Sequence, residues 1–185
     1  LDFPVSPWGL ATDSRGDLLV AGGPTVVRFD RYFREQSKLP PPPRSGEYSW
    51  AGRIAVSPAD MVYTQAIAGG DVWAFAPDVL QGQRIRTGSP SVSSLAVMDD
   101  GSVILHDQTA QTTTRIRDTE RQELDLKSDQ YSYIFAITGG PDNTVWTWDV
   151  TTRMAVVSDP NGFEIDVVIP VISMNFCTIS SFFLS

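Results

Sequence analysis

Short apolar runs alternate with turns rich in Gly, Asp, Ser and Pro along most of the chain, a rhythm that predicts strands rather than helices. One unit is clear in "SLAVMDDGSVILHD" (94–107): Leu95-Ala96-Val97, an Asp-Asp-Gly turn, then Val103-Ile104-Leu105. The same figure recurs at Leu10-Ala11-Thr12 with Leu18-Leu19-Val20, and at Ile54-Ala55-Val56 with Met61-Val62-Tyr63. It recurs again at Phe135-Ala136-Ile137 with Val145-Trp146, across a turn two residues longer, "GGPDN". The leading positions 10, 54, 95 and 135 are thus 44, 41 and 40 residues apart, and each is followed by alanine.

The second half of each unit keeps the period. A third strand reads "VVRF" (26–29), "VWAF" (72–75), "TTRI" (113–116) and "MAVV" (154–157), and a fourth is expected near 33–36, 83–87, 122–126 and 163–168. Four short antiparallel strands in about 41 residues is the content of a β-propeller blade. The predicted fold is therefore all-β: a propeller of four blades, approximately 7–38, 51–87, 92–127 and 132–168, plus the first hairpin of a fifth at 174–185, in one incomplete domain. Strands packed on both faces by neighbouring blades need not alternate strictly, which accounts for Leu18–Val20 and Val103–Leu105. One period beyond Phe135 lies Phe176, with Cys177 in the alanine place, so the uncharged tail reads as blade core rather than as a membrane span.

Composition narrows the partners. The formal charge of −8 comes from 22 acidic and 14 basic residues and disfavours nucleic acid and anionic membrane surfaces. No membrane insertion is expected. A single cysteine precludes an internal disulfide and leaves the compartment unknown.

The segments "PWGLATDSRGDLLVA" (7–21), "VVRFDRYF" (26–33) and "SLAVMDDGSVILHD" (94–107) resemble the NHL-repeat family of β-propellers and its gluconolactonase-like and streptogramin-lyase-like relatives. The resemblance implies a ring of six blades, of which this chain supplies part. It also implies an acid closing the second strand. That acid falls on Asp107 and Asp149, with Gly22 and Gln65 in the matching places. An arc that stops inside a blade leaves apolar blade faces available for self-association.

Candidate chemistry is sparse. His106 is the only histidine, which excludes His-rich metal sites and leaves a general base in the central channel as the enzymatic alternative. Gln65, Asp107 and Asp149 are expected on the rim where the loops after the second and fourth strands emerge. No cofactor is expected, although such oxygens would suit Ca²⁺ or another divalent cation; the same acids equally suit strand-end caps. Trp8, Tyr48, Trp50, Tyr131 and Tyr133 all precede a leading apolar residue by two to six positions, which puts amphipathic aromatics on the same rim. Arg53 and Arg153 would supply charge there, Arg53 alternatively by bridging blades. "LPPPPR" (39–44) reads as a stiff spacer between blades. The sequence favours a non-catalytic binding or scaffold module for a protein, peptide or glycan. A lactonase- or lyase-type enzyme using a metal or His106 is the alternative.

Overall fold

A computed structural model describes residues 7–40, 50–66, 70–89, 92–126, 134–149, 151, 154–160 and 164–168. The expected fifth-blade hairpin, with Cys177, lies outside them. Among the described residues, sixteen strands form four separate four-stranded antiparallel sheets, each a meander in chain order. The first sheet holds β1 (Gly9–Thr12), β2 (Leu18–Gly22), β3 (Thr25–Phe29) and β4 (Glu35–Leu39). The second holds β5 (Trp50–Val56), β6 (Val62–Ala66), β7 (Val72–Phe75) and β8 (Gln83–Ile85). The third holds β9 (Val92–Val97), β10 (Val103–Asp107), β11 (Thr112–Arg117) and β12 (Glu120–Leu124). The fourth holds β13 (Ile134–Gly139), β14 (Val145–Asp149), β15 (Met154–Ser158) and β16 (Glu164–Val168).

The first strands β1, β5, β9 and β13 pack against one another in succession, which makes them the innermost strands of a radial arc of blades. Their backbones approach closely. A Cβ at Gly9 would collide with the Gly52 carbonyl, and one at Gly139 would lie 2.7 Å from the Val97 carbonyl oxygen, so glycine is required at both crossings.

Three apolar clusters lie between successive blades. Leu19, Ala21 and Val26 meet Val62 and Phe75. Tyr63, Val72 and Ala74 meet Leu95, Val103 and Leu105. Ala96, Ile104 and Leu124 meet Ile134, Ile137 and Val145. Burying each such aliphatic side chain contributes about 1.5–3 kcal/mol, so adhesion between blades is chiefly hydrophobic. The outer strands β4 and β12 are exposed and carry Glu35, Lys38, Glu120, Arg121 and Glu123. Charge on an outer edge discourages pairing with a foreign strand.

The turns from the first to the second strand share one hydrogen-bonded frame, closed by the amides of Asp13, Ser57, Met98 and Gly140 on the carbonyls of Asp17, Met61, Ser102 and Thr144. The fourth turn is therefore no longer than the others: Val145-Trp146 keeps its expected place, and the leading strand of the fourth blade is two residues out of the expected register. Ile137 stands opposite Thr147 as Leu95 stands opposite Leu105, and Thr138 rather than an alanine follows it. Each turn puts its fourth residue in the left-handed region: Gly16 (φ 79°), Asp60 (59°), Gly101 (79°) and Asn143 (58°). The two that are not glycine use their side chains to reach the preceding blade. Asp60 accepts from the Ser14 amide (2.8 Å) and hydroxyl (2.7 Å), and Asn143 Oδ1 accepts from the Asp100 amide (3.0 Å). These bonds offset the cost of about 1 kcal/mol for a side chain at a position suited to glycine.

Candidate functional site

The turns after the second strands and the connections between sheets emerge on one face of the arc. Trp8 enters β1 there. Its amide donates to the Ala21 carbonyl (2.9 Å), while its side chain is 72% exposed. Gly52, at φ 77°, lets the Trp8 backbone sit against β5. Trp8 thus stands at the mouth of the first inter-blade junction. Trp50 opens β5 opposite Ala66, and its side chain is outside what is described. Tyr48, Tyr131, Tyr133 and Arg153 lie outside the described residues.

The polar candidates are not gathered on an open rim. Asp107 is buried; its Oδ1 accepts from the amides of Thr109 and Ala110 (both 2.9 Å), and its Oδ2 from the Ser89 hydroxyl. Burial pushes its carboxyl pKa up, but the Ser89 hydroxyl and the two amides outweigh this and hold it below the usual value. Asp149 is also buried and accepts from the Thr151 amide (2.8 Å), the same turn-closing device one blade later. Both carboxylates accept backbone amides of the turns that follow them. Among the described residues no group of three His, Cys, Asp or Glu side chains is placed to hold a metal ion.

Strand register also corrects the place of Gln65. It pairs with Val72 as His106 pairs with Thr113, so Gln65 and His106 are equivalent and Ala66 takes the place of Asp107. Both side chains are buried. His106 Nδ1 lies 3.0 Å from the Thr113 hydroxyl and Nε2 lies 2.9 Å from the Ile134 carbonyl oxygen on the next blade. A carbonyl can only accept, so Nε2 carries the proton and Nδ1 accepts from Thr113. His106 is a tie between the third and fourth blades rather than a base facing a channel. Gln65 Oε1 and the neighbouring Thr64 hydroxyl have no hydrogen-bond partner among the described residues. Arg53 Nε donates to the Ser93 carbonyl (2.7 Å), bridging the second and third blades, and burial lowers its pKa.

Beside the His106 tie, Gln111, Thr113, Glu123, Leu124, Asp125, Leu126 and Ile134 line a cavity of about 400 Å³. Sequence reasoning missed it because it joins outer strands of one blade to the inner strand of the next. The one available signal was that Gln65 and His106 are a single repeat apart.

No family model matches the sequence, and no curated protein is similar to it. Similarity to solved structures is extensive in shape and low in sequence. A catalytically inactive histidine-to-alanine variant of virginiamycin B lyase from Staphylococcus aureus, solved with quinupristin, superposes with a TM-score of 0.67 at 13% identity, covering 93% of this chain and 58% of that one. A protein assigned as a gluconolactonase gives a TM-score of 0.67 at 13% identity, over 89% of this chain and 63% of that one. A chain of the mitotic checkpoint complex gives 0.69 at 11%, over 91% and 55%. This chain therefore spans rather more than half the length of these proteins. At such identities the likeness is one of fold: the chain folds as four consecutive blades of a β-propeller.

Proposed function

We propose that this propeller is a binding module that engages a protein, peptide or glycan on the face where Trp8 emerges. The observation that carries the reading is Trp8 itself, a large amphipathic ring 72% exposed at a blade junction, at the start of an innermost strand. Tryptophan on a pre-ordered scaffold offers much contact area at little entropic cost. Consistent with it, His106, Asp107 and Asp149 are occupied in ties and turns. The similarity to a checkpoint-complex chain accords with propellers that work within protein assemblies.

The test is a screen of the protein on glycan and peptide arrays, with Trp8→Ala in parallel. Retention by the parent protein that falls about tenfold or more in Trp8→Ala supports the reading. Retention unchanged by Trp8→Ala removes it. Turnover of quinupristin or of a simple lactone, lost in a His106→Ala variant that keeps the parent protein's circular-dichroism spectrum, would establish the lyase or lactonase alternative instead.

A further inference from the structure

Of the large apolar side chains that are exposed among the described residues, four lie on the opposite face from Trp8: Tyr32, Phe33, Val79 and Leu80. They sit on the turns from the third to the fourth strand of the first and second blades, 30–34 and 76–80. The two turns are neighbours. Arg28, on β3, lies 3.8 Å from Asp13 and 3.7 Å from Asp78.

The first of these turns departs from what its backbone favours. Phe33 has φ 61°, where Gly or Asn is expected, so an aromatic side chain there strains the backbone. Its ring is half exposed, so packing offsets only part of that strain. Asp30 holds the turn in shape. Its Oδ1 accepts from the amides of Tyr32 (2.8 Å) and Arg34 (2.9 Å), and its Oδ2 accepts from Arg34 Nε (2.8 Å). The tip is thus rigid, exposed and aromatic. Two guanidiniums stand over the Tyr32 ring, Arg31 at 5.1 Å and Arg34 at 5.3 Å from its centroid. Arg34 is also ion-paired with Asp30 (2.7 Å), whereas Arg31 has the ring as its sole partner among the described residues. Arg31 is thus the guanidinium of this tip that is free to receive a carboxylate, whereas Asp78 on the neighbouring turn is engaged by Arg28.

We infer that the Arg31-Tyr32-Phe33 tip, with Val79 and Leu80 on the corresponding turn of the next blade, is a second docking surface, and that its occupant is an acidic protein segment carrying apolar side chains. A carboxylate of the partner meets Arg31 in the two-point geometry that guanidinium favours, and apolar side chains lie on Phe33, Val79 and Leu80. The surface is independent of the Trp8 face.

Fluorescence polarisation of three probes on the full chain tests this: short peptides alternating Glu with Leu or Phe, matched peptides with Lys replacing Glu, and oligo(dT). The expected result is binding of the Glu peptides at least about tenfold tighter than the Lys peptides or oligo(dT), weakening with salt. Arg31→Glu and Phe33→Gly should each reduce it about tenfold, while Trp8→Ala leaves it unchanged. Phe33→Gly should melt within about 2 °C of the parent protein or above it, because glycine relieves the left-handed backbone. Equal binding of Glu and Lys peptides, preference for oligo(dT), loss in Trp8→Ala, or Glu-peptide binding that survives Arg31→Glu would overturn the inference. So would a much lower melting temperature for Phe33→Gly, since the aromatic would then be structural.

Discussion

The junction between the third and fourth blades and the junction between the second and third use equivalent positions of the same repeat, yet their polar interiors differ. At the former, His106 satisfies both ring nitrogens, one of them across the junction on the Ile134 carbonyl. The Ser94 hydroxyl also bonds the Ile137 backbone (3.0 Å from its amide), and Gln111 Oε1 receives the Ile134 amide (3.2 Å). At the latter, Gln65 stands where His106 stands and leaves Oε1 without a partner among the described residues, with the Thr64 hydroxyl in the same condition. Polar contact there passes instead through Arg53 to the Ser93 carbonyl and through Arg121 to the carbonyls of Arg86 and Thr87. Hydrophobic clusters of similar make-up hold both junctions. Adhesion between blades is thus generic, whereas the polar ties are particular to each pair. A histidine serving as a tie in one blade does not predict a polar partner in the next.

The largest expected effect is at His106. His106→Leu should destabilise the protein by about 2–4 kcal/mol in urea unfolding, because it removes two buried hydrogen bonds and strands the Thr113 hydroxyl and Ile134 carbonyl. A loss under about 0.5 kcal/mol would mean that the tie contributes nothing.

Gln65→Leu should act in the opposite sense. Replacing a buried amide whose oxygen is unsatisfied with an apolar group of similar length should leave stability unchanged or raise it by about 1 kcal/mol. A loss of similar size would show that Gln65 has a partner after all and that the two junctions are alike.

A smaller effect concerns acid. Hydrogen bonds from Ser89 and two turn amides hold the Asp107 carboxyl below its unfolded value of about 3.9, against the opposing effect of burial. Asp100 is held low in the same way by Ser102 and Arg115. A depressed folded value means that the stabilisation is fully present above the unfolded pKa. It is lost as pH falls from about 4 through the folded value. Asp107→Asn should therefore flatten the acid limb of the stability profile below about pH 4 relative to the parent protein. An unaltered limb would show that this turn does not contribute to it.

Much of the fold was legible because turn chemistry and apolar runs repeat at a nearly fixed spacing. The two-residue displacement of the fourth blade's first strand is instructive. Phe135-Ala136-Ile137 imitates Leu95-Ala96-Val97 in composition, but strand register is set by the turn, and the turn at 140–144 has the same span as its fellows. Site chemistry was less legible for two reasons. An acid at the end of a second strand suits a rim ligand and a turn cap equally, and only the amides around Asp107 and Asp149 decide between them. Exposure of an aromatic depends on its neighbours in other blades. Tyr32 and Phe33 end a segment that the repeat pattern explains as strand and turn, and Phe33 stands out as a surface feature only once its positive φ is known.

The central claim is that His106 is an inter-blade tie, and the nitrogen spectrum of its side chain tests it most directly. With selectively ¹⁵N-labelled histidine at neutral pH, the predicted result is a single neutral tautomer protonated at Nε2, with a slowly exchanging proton coupled across a hydrogen bond. Averaged tautomers in rapid exchange with water would contradict the account: His106 would then be an accessible base, and the enzymatic reading would move to the front.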